Sequence, residues 1–187
     1  MILDLEGRRA VVTGGSRGLG YGIAQALHNS GAEVIITGRT GNVWEAAAES
    51  SGPPAYGVTG DLSRQQQRET VCEQILEIYN GRVDILVNAA GTLNRCAAFE
   101  VTQEDWNEVL ELNLNAVFFM SQRIGRSMAA RRYGKIINIA SMDFFFGSVL
   151  VPAYSASKGG VAQLTKALSN EWAAEGINVN AIAPGYM

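Results

Sequence analysis

The stretch "RRAVVTGGSRGLG", residues 8–20, runs from two arginines through a short Val-rich segment into glycines at 14, 15, 18 and 20. An apolar run of this length with no polar alternation predicts a strand buried on both faces. Glycines directly behind it let the chain turn tightly and bring bare backbone close to a ligand. The residues that follow, "LGYGIAQALHNSG" at 19–31, carry helical periodicity. The amides and positive dipole end of a helix starting there suit an anion such as a pyrophosphate. Taken alone, the same glycines fit a tight connection with close helix packing.

Further runs of the same kind recur outward from this unit: "EVIITG" 33–38, "AYGVTG" 55–60, "VDILVNAAG" 83–91, "KIINIAS" 135–141 and "INVNAIAP" 177–184. The segments between them are long enough for crossover helices, with Gly31, Gly134 and Gly176 as stop signals and Ser63 as a cap. Strand and helix in alternation predict an α/β fold with a doubly wound parallel sheet and helices on both faces. Neither a linker nor a repeat interrupts residues 1–187, so one dinucleotide-binding and catalytic domain is expected. Ligands of such sheets lie beyond the carboxyl ends of the strands, where the winding reverses.

The composition narrows the function. With 187 residues, 47% of them apolar and 18% charged, the chain can bury a core, and its net charge of −3 offers no basic field for nucleic acid. A small-molecule substrate is expected. Cys72 and Cys96 have neither metal-ligand spacing nor disulfide density, which fits a reducing, cytoplasmic setting and no metal. The N-terminal residues lack the uninterrupted apolar length of a signal peptide or membrane anchor. His28, the one histidine, reads as a surface residue of the first helix, so chemistry that needs a histidine base is not expected.

The spacing T-G-x-x-x-G-x-G at 13–20 resembles that of the short-chain dehydrogenase/reductase family. Other blocks resemble it in order and spacing: "NAAG" at 88–91, with Ala89 where the family has a second asparagine; "LNLNAVFF" at 112–119; "NIAS" ending at Ser141; "YSASK" at 154–158; and Pro184-Gly185. The resemblance implies catalytic roles for Asn113, Ser141, Tyr154 and Lys158. It implies cofactor contacts from Gly14, Ser16, Arg17, Gly18, Leu19, Gly20, Arg39, Asp61, Leu62, Asn88, Ala89, Gly91, Tyr154, Lys158, Pro184, Gly185 and Met187.

The residues themselves give part of the reason. Pro152 suits a helix start, so Tyr154 and Lys158, at i and i+4, share a face, and the loop 142–151 can return Ser141 to it. A tyrosine that carries protons near neutral pH needs its ordinary pKa of about 10 lowered by about 3 units, roughly 4 kcal/mol. A positive charge at about 4 Å in an effective dielectric of 20 supplies roughly that. In the family the tyrosine moves the alcohol proton, the lysine lowers its pKa and holds the nicotinamide ribose, the serine binds the substrate oxygen, and the asparagine keeps a relay water. Each residue alone has a plain structural alternative: surface tyrosine, solvated lysine, serine cap, core amide.

Four expectations complete the reading. The strand "EVIITGRT" places Gly38 where an acid would select NAD(H), and Arg17 and Arg39 can clamp a 2′-phosphate, so NADP(H) is preferred and NAD(H) possible. The run 138–187 resembles the sugar-acid branch, the 2-deoxygluconate 3-dehydrogenase and 2-keto-3-deoxygluconate 5-dehydrogenase group, with 3-oxoacyl thioester reduction as the alternative; Phe144, Phe145 and Phe146 either line the substrate's way or pack the core. The apolar helices 103–131 and 153–175 predict a homodimer or homotetramer. The family's substrate lid and last strand are expected to be missing after Met187, which leaves a nucleotide-binding module with little turnover as a further alternative.

Overall fold

The computed structural model describes residues 4–40 and 54–185. Six strands form one parallel sheet: β1 Arg9–Thr13, β2 Glu33–Gly38, β3 Ala55–Thr59, β4 Ile85–Asn88, β5 Gly134–Ile139 and β6 Ile177–Ile182, in the order β3-β2-β1-β4-β5-β6. The sheet therefore grows outward in both directions from the β1–β4 pair, the crevice that such winding leaves for a ligand.

The strands read as apolar runs because both faces are covered. Val11, Ile35, Leu86 and Ile136 pack on one side with α2 Gln65–Ile78, α4 Ala116–Ala130 and α6 Pro152–Trp172. Ala10, Val12, Val34, Ile36, Ile85 and Val87 face the other side, where Ala24 of α1 Gly18–Asn29 meets them. Ahead of α4 come α3 Gln103–Leu110, whose first turn Thr102 caps by accepting from Asp105 N at 3.1 Å, and a π-helical segment Glu111–Asn115. A one-turn helix, α5 Asp143–Phe146, follows β5.

Inside the α2/α4/α6 side runs a chain of buried polar groups. Asn88 donates to Ser121 Oγ at 3.0 Å and to Asn138 Oδ1 at 2.9 Å, and Asn138 donates to Thr165 Oγ1 at 2.9 Å. Asn88 and Asn138 stand opposite each other in the β4–β5 register.

Four local expectations are corrected. Ser63 does not cap α2; its main-chain N–H and its hydroxyl both donate to Asp61 Oδ1, and Arg64 occupies the cap position without a side-chain bond. Gly134 does not end α4 but begins β5, chosen because a methyl there would lie 2.4 Å from Met128 Sδ; the turn is made by Arg132 at φ 51°. His28 is buried rather than on the surface, because it sits on the core-facing side of α1. The Phe144–Phe146 trio does not pack the core: Phe145 and Phe146 are largely exposed on α5.

Candidate active site

At the end of β1 the chain turns at Gly14, with φ 67°, and enters α1 through Gly18, with φ 57°, both in the left-handed region that favours glycine. A methyl on Gly20 would lie 2.3 Å from the Gly14 carbonyl oxygen, so the first turn of α1 closes directly onto the loop. Thr13 Oγ1 accepts from the main-chain N–H of Ala89 at 3.0 Å and of Ala90 at 3.1 Å, which fixes the end of β4 across the crevice.

A cleft of about 340 Å³ opens between these elements. Of the expected cofactor residues, Gly14, Ser16, Arg17, Gly18, Leu19, Gly20, Arg39, Leu62, Ala89 and Gly91 line it. Gly38 stands at the end of β2, so the position beside Arg39 carries no acid. Asp61 and Asn88 do not line it. The Asp61 carboxylate is taken by Ser63, and the Asn88 amide is turned into the core chain of hydrogen bonds. Pro184 and Gly185 lie beside the end of β5, where Pro184 O accepts from Met142 N at 3.0 Å. Met187 falls outside the described residues.

Three of the expected catalytic residues, Asn113, Tyr154 and Lys158, gather next to this cleft. Lys158 is buried; its ammonium donates to Ile139 O at 2.6 Å and lies 5.6 Å from the centre of the Tyr154 ring. Burial lowers its pKa to about 8. Asn113 is fully buried in the π-helical segment; its Oδ1 accepts from Thr92 N at 2.8 Å, and its Nδ2 donates to Thr92 O at 2.9 Å and to Ser157 Oγ at 3.2 Å. A methyl on Gly91 would stand 3.3 Å from Asn113 Oδ1 and 3.9 Å from Lys158 Nζ, so these three residues meet at one point. Ser141 Oγ accepts from Asp143 N at 3.2 Å, which leaves its hydroxyl hydrogen for another partner.

Sequence reasoning passed over one participant, Ser157. Ser157 links the active-site helix to Asn113 and donates back to Tyr154 O at 2.7 Å. Ser157 lies inside the "YSASK" block, but the bond that gives it a role joins it to Asn113, 44 residues away in sequence, so its signal is spatial. The cysteines are unbridged, and burial pushes the Cys72 thiol up to about 11, the behaviour of an inert core residue. Among the described residues no cluster of metal-ligating side chains occurs, and no helix is long and apolar enough to cross a membrane.

Comparisons with known proteins point the same way. The sequence is 46% identical over 186 residues to the 2-dehydro-3-deoxy-D-gluconate 5-dehydrogenase of Bacillus subtilis (strain 168), covering 98% of this chain and 72% of that one. It is 38% identical over 191 residues to the 3-oxoacyl-[acyl-carrier-protein] reductase of Aquifex aeolicus (strain VF5), covering 100% and 77%. The crystal structure of a gluconate 5-dehydrogenase from Burkholderia cenocepacia J2315, in complex with NADP and tartrate, superposes with a TM-score of 0.92 at 35% identity, covering 99% of this chain and 73% of that one. The pattern that defines the short chain dehydrogenases matches residues 8–187. With its glycine-lined crevice, its Tyr154–Lys158 pair and this match along nearly its whole length, the chain belongs to the short chain dehydrogenase family.

Proposed function

We propose that the chain is an oxidoreductase that uses a nicotinamide dinucleotide to interconvert a secondary alcohol and a ketone on a sugar acid such as a deoxy- or keto-gluconate. The observation that carries this reading is the meeting of Gly91, Asn113 and Lys158 beside Tyr154, at the strand ends that adjoin the glycine-lined cleft. The cleft fits a dinucleotide: its glycines remove the side chains that would fill the loop, and the amides at the start of α1 can face a pyrophosphate. Arg17 and Arg39, exposed at its rim with no acid at Gly38, favour NADP(H), with NAD(H) as the possible second choice. The bound nicotinamide supplies the acceptor or donor of hydride.

The chain's own residues handle the proton. Tyr154 exchanges it with the substrate oxygen, and the Lys158 charge, still present at neutral pH because its pKa of about 8 lies above 7, stands 5.6 Å from the centre of its ring. Ser141 donates its free hydroxyl hydrogen to the same substrate oxygen. Asn113 spends both amide hydrogens and one lone pair on Thr92 and Ser157, so it positions the loop and the helix, and its remaining lone pair is what a relay water can use.

The sugar-acid substrate is supported by the names of the Bacillus and Burkholderia relatives. Thioester reduction is the second reading, on the strength of the Aquifex relative. Following cofactor absorbance with deoxy- and keto-gluconates against acetoacetyl thioesters separates them, and turnover confined to thioesters overturns the first. We also read residues 1–187 as one dinucleotide-binding and catalytic domain, cytoplasmic, and paired through helices 103–131 and 153–175, where Phe119 of α4 is partly exposed. Sedimentation showing only monomer at micromolar concentration would remove the pairing.

A further inference from the structure

We propose that Asp143 is a positioning residue for the Ser141 hydroxyl, an inference that rests on the oxidoreductase reading and extends it to a side chain outside the motifs. Ser141 lies just past the end of β5, on the segment that leads into the one-turn helix α5. A serine side chain has three staggered rotamers, and its neighbours choose among them. The main-chain N–H of Asp143 does so by donating to Ser141 Oγ at 3.2 Å, while Phe144 N donates to Ser141 O at 3.2 Å. One lone pair of the hydroxyl is thereby spent, and its hydrogen is left to be donated.

The Asp143 N–H keeps its aim only if its own turn is held, and the Asp143 carboxylate holds it. Its Oδ1 accepts from Ser148 Oγ, and Asp143 O accepts from Gly147 N at 2.8 Å, so the segment 143–148 is closed through side chain and main chain together. Gly147, at φ 65°, is where the chain turns back. Ser148 N then donates to Ser155 Oγ at 3.2 Å, and Ser155 follows Tyr154 on α6. The bonds thus run from the Ser141 hydroxyl through Asp143 and Ser148 to the turn of α6 that carries the proton carrier. Leu150, a little further along, keeps φ 64°, a left-handed backbone that a leucine adopts only where its surroundings impose it. The whole connection is therefore held in one shape, and Asp143 is the residue that links that shape to Ser141.

The test is a double-mutant cycle on turnover of a keto-gluconate or an acetoacetyl thioester, whichever the parent accepts. Asp143→Ala, Asp143→Asn, Ser148→Ala, Ser141→Ala and the Asp143→Ala/Ser141→Ala pair are compared in kcat, KM and NADPH affinity. Asp143→Ala and Ser148→Ala are each expected to lower kcat about tenfold, as a misplaced group does, with NADPH affinity unchanged. Asp143→Asn keeps an oxygen for Ser148 and should recover most of the rate. Placed on top of Ser141→Ala, Asp143→Ala should cost nothing more, because the hydroxyl that it positions is gone. A further loss of about tenfold in that background overturns the assignment, since an effect on the fold alone adds to the loss of Ser141. A parental kcat in Asp143→Ala overturns it too. If Asp143→Ala does not fold, Ser148→Ala carried through the same cycle decides by the same outcomes. A parent that turns over neither substrate, or a Ser141→Ala variant that keeps the parental rate, overturns the oxidoreductase reading and the assignment with it.

Discussion

Lys158 donates its ammonium to the main-chain carbonyl of Ile139 at 2.6 Å, tying the first turns of α6 to the last residue of β5. The charge is buried to do so, and its pKa falls from 10.5 to about 8. Between those values the unfolded chain holds a proton that the folded one has released, so stability from this group rises with pH across that window. Below it both states are charged, and the desolvation cost is present in full. Lys158→Met is therefore expected to be more stable than the parent at pH 7 by about 1 to 3 kcal/mol, the bond lost to Ile139 offsetting part of the gain. The difference should shrink as pH approaches 10.5. Urea unfolding at pH 7 and pH 10 checks this, and a difference that does not change with pH counts against it.

Tyr154→Phe removes the proton carrier and little else, since the ring still faces the Lys158 ammonium. Turnover should fall by at least about a hundredfold, the usual contribution of a positioned acid or base. NADPH affinity, read by fluorescence titration, should stay close to the parent's. A variant that retains a tenth of the parental rate would take Tyr154 out of the acid/base role.

Arg39→Ala is expected to weaken NADPH binding selectively. Each charge-assisted bond to a phosphate is worth roughly 1.5 to 3 kcal/mol, or about tenfold to a hundredfold, and Arg17→Ala should act in the same direction. NADH affinity should barely move. Equal losses for the two cofactors would mean that neither guanidinium reads the 2′-phosphate.

Asp84 anchors the opposite end of the sheet. It is buried, and it accepts from Arg9 N at 3.1 Å, Arg82 at 3.0 Å and Arg131 at 3.0 Å. Burial pushes its pKa up, but the bonds from Arg82, the Arg9 amide and Arg131 together outweigh that, so the carboxyl lies below its ordinary 3.8. Its stabilisation is thus present above that value and is lost as pH falls through the folded pKa. Asp84→Asn should cost about 2 to 3 kcal/mol at pH 7, since it leaves two guanidiniums without their counter-charge. The cost should disappear in strong acid, where the parent's carboxyl is also protonated. Chemical unfolding at pH 7 and below pH 3 compares the two.

The strands were legible because burial on both faces leaves an apolar run that nothing else in the chain resembles, as in "RAVVT" and "ILVN". The Tyr154–Lys158 pair was legible because four residues is one helical turn. What escaped depends on neighbours distant in sequence. Gly134 serves Met128 rather than a helix end, and His28 is buried because α1 turns that side toward the core. The π-helical segment that holds Asn113 differs from ordinary helix by one hydrogen-bond step, Ala116 N reaching back to Glu111 O, and no residue type announces such a step.

The Asn88–Asn138 hydrogen bond has a consequence for how the chain folds. Strands that are apolar on both faces can slide past one another with little loss of burial, since any Val or Ile fits almost any slot. Periodicity therefore does not fix their pairing, as it does in a half-exposed sheet. The two asparagines do. A slip of one residue between β4 and β5 would set Asn88 against Ile137 or Ile139 and turn Asn138 to the other face, away from Thr165. Two amides would then be buried with nothing to bond, at about 1 to 3 kcal/mol each. The polar chain thus acts as a key that only one alignment turns, and that alignment sets Ile139, and with it the Lys158 ammonium, at the height of the crevice.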